Sequence, residues 1–166
     1  MVVGKLATLV TAAVLTAWLV AASASAGSPR DTAEAQSGSR IEVVRGDLEA
    51  GLAALRGRDF ALARVYLQRA VDRDPQDPDA LAAMGETYLR LGDRNNAFQY
   101  TEAALIVDPE HRRALATMGE VYLAMGNMPE ARRKAGQLAQ LCPSGCAERT
   151  RLQEAIAAHG GGQGGS

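Results

Sequence analysis

The chain of 166 residues is long enough for one domain of ordinary size and little more. Hydrophobic residues at 47% and charged residues at 22% suit a globular chain, while 4% aromatics and abundant alanine favour closely packed helices over a sheet. A formal charge of −1 lacks the clustered basic excess that nucleic acid or an anionic membrane surface requires, so neither is an expected partner.

The first element in chain order is an N-terminal segment. Residues 6–26 carry no charge, Lys5 precedes them, and they end in the small-residue run Ala22-Ser23-Ala24-Ser25-Ala26. This pattern predicts an export signal over 1–26, cleaved after Ala24 or Ala26. The alternative is an inner-membrane anchor through residues 6–26, since a spanning helix needs about 20 apolar residues. Neither position 25 nor 27 is Cys, so a lipoprotein is not indicated. Arginine supplies 16 of the 18 basic residues, which with the richness in alanine and glycine suggests a GC-rich bacterial genome. An exported bacterial protein is expected in the periplasm or outside the cell, where disulfides persist. Residues 27–43, with Ser, Gly and Gln, are expected to form a flexible tether.

From residue 44 onward the chain is periodic. Pro75, Pro109 and Pro143 are 34 residues apart, as are Gly51, Gly85 and Gly119, then Ala63, Ala97 and Ala131, then Leu55, Leu89 and Leu123. Four columns in one register divide the chain into units 44–77, 78–111 and 112–145. Each unit is expected to hold two helices: 45–57 with 60–73, 79–91 with 95–107, and 113–125 with 129–140. Gly57, Gly92 and Gly126, close to Asp59, Asp93 and Asn127, can end one helix and start the next. The prolines lack a backbone N–H and end the second helix of each unit. Glycine inside a helix costs about 1 kcal/mol relative to alanine. Gly51, Gly85 and Gly119 therefore imply close helix approach, with Ala63, Ala97 and Ala131 as the small residues opposite.

The second unit, LAAMGETYLRLGDRNNAFQYTEAALIVDP, resembles the tetratricopeptide repeat through Leu81, Gly85, Tyr88, Ala97, Ala104 and Pro109. The third resembles it through Leu115, Gly119, Tyr122, Ala131 and Pro143. The first departs from the pattern, with Asp47 where a large apolar residue is usual and Ala54 in place of Tyr. The resemblance covers Val44 to about Gly145. It implies an all-α fold, a right-handed superhelical array of three helix-turn-helix repeats whose first helices line a groove for a peptide or partner helix. By register the groove-facing positions are Arg45, Glu49, Leu52 and Arg56, then Asp79, Ala82, Ala83, Glu86 and Arg90, then Arg113, Ala116, Thr117, Glu120 and Ala124. Chaperone-binding members clamp a C-terminal carboxylate with Lys and Asn at several of these positions, and those residues are absent here. Glu86 and Glu120 fall at equivalent positions, which suggests a cationic or mixed-charge partner segment. A solvated groove wall and a catalytic or metal-binding pair are the competing readings.

Terminal repeats need a cap. Residues 146–158, with Leu152, Ala155 and Ile156 among polar neighbours, predict a capping helix, followed by a disordered glycine-rich tail over 159–166. Asp74-Pro75 and Asp108-Pro109 become Cys142-Pro143 in the third unit, and Cys146 follows four residues on. In an oxidising compartment this favours a Cys142–Cys146 disulfide that staples the cap, contributing about 2 kcal/mol for so short a loop. A C-x-x-C redox motif, a haem-attachment motif and a zinc site are each disfavoured by the spacing and by the two histidines, His111 and His159. His111 is expected at the surface, and Met84, Met118, Met125 and Met128 in the core or at an interface. No nucleophile elbow, P-loop or dinucleotide fingerprint occurs, so no catalytic residue, metal or cofactor is expected. The reading is a monomeric, non-catalytic protein-binding module in the bacterial envelope. Its alternatives are a subunit built permanently into an envelope or secretion complex, and an accessory to a redox or enzyme complex through the cysteine pair.

Overall fold

A computed structural model describes residues 46–161; the expected signal, the tether, Arg45 and the last five residues lie outside them. The described residues form helices throughout: α1 over 46–56, α2 Phe60–Arg73, α3 Pro78–Arg90, α4 Arg94–Val107, α5 Arg112–Ala124, α6 Met128–Leu141 and α7 Ala147–Gly161. α7 runs three residues past the expected end of the cap. None of these helices is long and apolar enough to cross a membrane.

Side-chain caps set the helix starts. Asp59, Asp93 and Asn127, one period apart, each accept a hydrogen bond from a backbone N–H three residues on, at 3.0, 3.1 and 3.3 Å. The backbone hydrogen bonds to Asn96 hold the Asp93 carboxyl below its ordinary value, helped by the Asn96 side chain. Asp77 caps α3, and His111, one period later, caps α5 by accepting from Ala114 N–H through Nδ1 at 3.2 Å. The opposite ring nitrogen lies 3.1 Å from Asp79, and the His111 side chain is only 13% exposed. His111 is thus a capping residue rather than the surface histidine expected, because its period places it where α3 uses an aspartate.

The turn between paired helices needs one residue in the left-handed region, filled by Gly92 at φ 84° and Gly126 at φ 77°. In the first unit that place belongs to Arg58, at φ 62°, and not to Gly57. The glycine there stands one residue out of register.

Each pair of helices packs as a hairpin, and the first helices of successive hairpins adjoin, α3 on α5 and α5 on α7. The core passes along the array in three clusters. Leu55, Ala63, Leu67, Ala83 and Met84 join α1, α2 and α3; Leu81, Ala82, Ala104 and Ala114 join α3, α4 and α5; Leu115, Ala116, Leu123, Ala131, Leu138 and Leu152 join α5, α6 and α7. Met84 and Met118 are buried and Met128 packs against the third cluster, whereas Met125 is half exposed. Tyr88 stacks on Tyr100 at 5.4 Å between ring centres, and Tyr122 meets Phe98 edge to face at 6.1 Å.

The column glycines mark close approaches of different kinds. A Cβ on Gly85 would lie 2.3 Å from Thr101 Oγ1, 3.1 Å from Thr101 N and 3.2 Å from Ala97 O, so the obstacle includes the backbone of α4. At Gly119 the obstacle is Leu152 of α7, at 2.5 Å. The position that carries Leu67 in the first hairpin and Thr101 in the second is Ala135 in the third, and α7 supplies the missing bulk. Asp47 of the divergent first unit has a matching change: it pairs with Arg73, where the third unit packs Leu115 and Leu141 into one cluster. An apolar contact at this register is replaced by an ion pair.

Candidate functional site

The first helices of the hairpins and α7 present one inner face. Of the groove positions expected from the sequence, Ala82, Ala83, Ala116 and Thr117 are buried between helices and do not form a floor. The small side chains are there to let helices approach, and the core clusters take them up. Glu49 and Arg56 are exposed on α1, and Leu52 packs at the edge of the first cluster. Asp79 is exposed beside His111. Arg45 lies outside the described residues.

Glu86 and Glu120 are brought together, but not as open carboxylates. Their exposures are 7% and 9%. Arg151 of α7 reaches both, with Nη1 donating to Glu86 Oε1 at 2.7 Å and Nε 2.7 Å from Glu120 Oε1. The second contact is charge pairing without a well-aimed hydrogen bond, since neither atom completes one. Arg90 bridges the same two carboxylates at 3.6 and 3.0 Å, and Arg113 donates to Glu86 Oε2 at 3.2 Å. Arg151 also approaches Thr117 Oγ1 at 3.5 Å. Three guanidiniums therefore share two buried carboxylates, which makes the pair affordable in a poorly solvated place. The expectation of two carboxylates waiting for a cationic partner is corrected: the chain's own arginines occupy both. The apolar pattern of residues 146–158 does not by itself point to Arg151. The signal was available, since Arg151 lies 34 residues after Thr117 and 68 after Ala83, in one groove-facing column.

Above this network lies an open pocket of about 200 Å³, lined by Leu55 and Arg56 of α1, Glu86 of α3, Arg113 of α5, and Ala147, Glu148 and Arg151 of α7. All four inner helices contribute. At the far end of α7's entry turn, the sulfurs of Cys142 and Cys146 lie against each other, with Cα atoms 6.0 Å apart. Arg149 donates to the carbonyls of Cys142 and Pro143, both at 3.2 Å, and closes the same turn. Among the described residues no group of three or more His, Cys, Asp or Glu side chains is arranged to hold a metal ion.

Comparison with known proteins agrees with this geometry. The sequence profile of the tetratricopeptide repeat matches residues 78–111. No curated protein matches the chain. Among solved structures, the tetratricopeptide domain of Arabidopsis OM64 superposes with a TM-score of 0.64 at 18% identity, over 72% of this chain and 98% of that one. The first such domain of Spaghetti (RPAP3), bound to an HSP90 peptide, gives 0.61 at 18% identity over 70% and 93%. Pseudomonas aeruginosa PilF gives 0.62 at 25% identity over 73% and 54%. Residues 78–111 thus match the tetratricopeptide repeat in sequence, and the described residues as a whole share the fold of tetratricopeptide-repeat domains.

Proposed function

We propose that this protein is a non-catalytic binding module of the bacterial envelope that takes a segment of another protein along its inner face. The observation that carries the reading is the pocket built by four helices of three hairpins and the cap, with charged side chains at its walls. Such a composite site exists only when the array is assembled, as a binding surface in a repeat protein does. Fold alone does not name a partner. The Spaghetti (RPAP3) domain of similar fold holds a peptide, which supports the same use of this face here.

Export is the second part of the proposal, resting on the uncharged segment 6–26 and its small-residue end. The juxtaposed Cys142 and Cys146 suit an oxidising compartment, where their bond would fasten α7 and with it Arg151. Cross-linking followed by affinity capture from the native envelope tests the whole reading. One discrete partner, released by high salt, is the expected result. Recovery of the protein from the cytoplasm, or capture of nothing above background, would overturn it. Intact mass without reduction tests the bond: the expected mass is two hydrogens below that of the dithiol, and two free thiols in exported protein remove the staple.

A further inference from the structure

We infer that the pocket between the last turn of α1 and the first turn of α7 is a seat for a side-chain carboxylate of an acidic partner segment. The inference rests on the binding-module reading and gives the partner its chemistry. Glu86 and Glu120 are already matched by Arg90, Arg113 and Arg151, three cations on two anions. On the opposite wall Arg56 is exposed and has no ion-pair partner among the described residues. Arg113 also lines the pocket, and among the described residues its guanidinium commits only Nη1, to Glu86. Each of these guanidiniums has N–H groups to spare, and one guanidinium presents the planar fork from which a carboxylate accepts in bidentate fashion.

Glu148, on the α7 side, limits the charge. With Arg56, Arg90, Arg113 and Arg151 against Glu86, Glu120 and Glu148, the site carries one net positive charge. That balance suits a single carboxylate and opposes a dianionic phosphate group. It also reverses the sign expected from the two glutamates alone: Arg56, Arg90 and Arg113 of the repeats outnumber Glu86 and Glu120, while Arg151 and Glu148 of α7 cancel.

The test titrates the ¹⁵N-labelled oxidised protein with three peptides: acetylated and amidated tetraglutamate, the same form of tetraarginine, and tetraalanine with a free C-terminal carboxylate. Tetraglutamate should shift the amides of Arg56, Arg113, Ala147 and Glu148 saturably at millimolar concentration. Arg56→Gln, at an exposed position, should weaken this about threefold, and Glu148→Gln should tighten it by a similar factor, the size of one exposed charge contact. Tetraarginine moving the same amides instead, free-acid tetraalanine alone moving them, tetraglutamate leaving them still, or Arg56→Gln binding like the parent would each overturn the seat. The two readings fail separately. A partner captured from the envelope equally well by Arg56→Gln keeps the module and removes the seat. Tetraglutamate binding as expected with no envelope partner keeps the seat and removes the module.

Discussion

Arg58 stands in the left-handed backbone region that Gly92 and Gly126 occupy in the later hairpins. A Cβ in that region costs about 1 kcal/mol, so Arg58→Gly should stabilise the fold by somewhat less than that, after the extra freedom of glycine in the unfolded chain is subtracted. Chemical denaturation, with an unchanged m-value and a raised midpoint, is the check. Gly85 carries the opposite expectation. Alanine there would meet the α4 backbone, which cannot rotate away, and should destabilise by about 2 kcal/mol. Gly136, inside α6 with nothing within 4 Å of an added Cβ, should instead gain up to about 1 kcal/mol as alanine. Asp93 supplies a pH dependence. Its folded-state pKa is lowered by the Asn96 backbone N–H, so its stabilising effect is present above the unfolded value near 4 and is lost as pH falls through the folded value. Acid titration of Asp93→Asn by circular dichroism should show a shallower loss of helix below about pH 4 than the parent shows.

At the scale of elements, α7 is more than an end cap. It fills the space over Gly119 with Leu152 and inserts Arg151 between Glu86 and Glu120. Replacing Arg151 by Met keeps much of the packing but leaves two buried carboxylates to Arg90 and Arg113. The expected cost is roughly 2 kcal/mol, below the 3–5 kcal/mol of a fully broken buried pair because those two cations remain. A calorimetric melt measures it. If Glu86→Gln and Glu120→Gln are then added to Arg151→Met, most of the loss should return, since the stranded charges are gone. Recovery near zero would mean that Arg151 acts through packing alone.

The array as a whole has contacts mainly between neighbouring hairpins, so damage at one end should spread only as far as the interface it opens. A chain ending at Gly145 loses Leu152, Ala155 and Ile156 from the third cluster. Hydrogen exchange of that truncation should show α5 and α6 unprotected while α2, α3 and part of α4 stay protected. Uniform loss of protection would show instead that the three clusters unfold as one.

Most of the fold was legible in the chain itself. The 34-residue columns, the prolines and the capping residues Asp59, Asp93 and Asn127 act over one or two turns, where local backbone chemistry decides the outcome, and they set each of the six repeat helices to within a residue or two. The pairing of Asp47 with Arg73 was not legible, because it links two ends of a hairpin whose approach depends on packing. The charge state of the groove was further out of reach. Glu86 and Glu120 are separated from Arg151 by 65 and 31 residues, and only the docking of α7 into the space beside Gly119 brings the guanidinium onto both. Sequence by itself determined the repeat, its helices and the small residues that let them close. Tertiary structure decided which charges of the inner face are spent on one another and which are left for a partner, because a buried carboxylate takes its character from whatever cation the fold delivers to it.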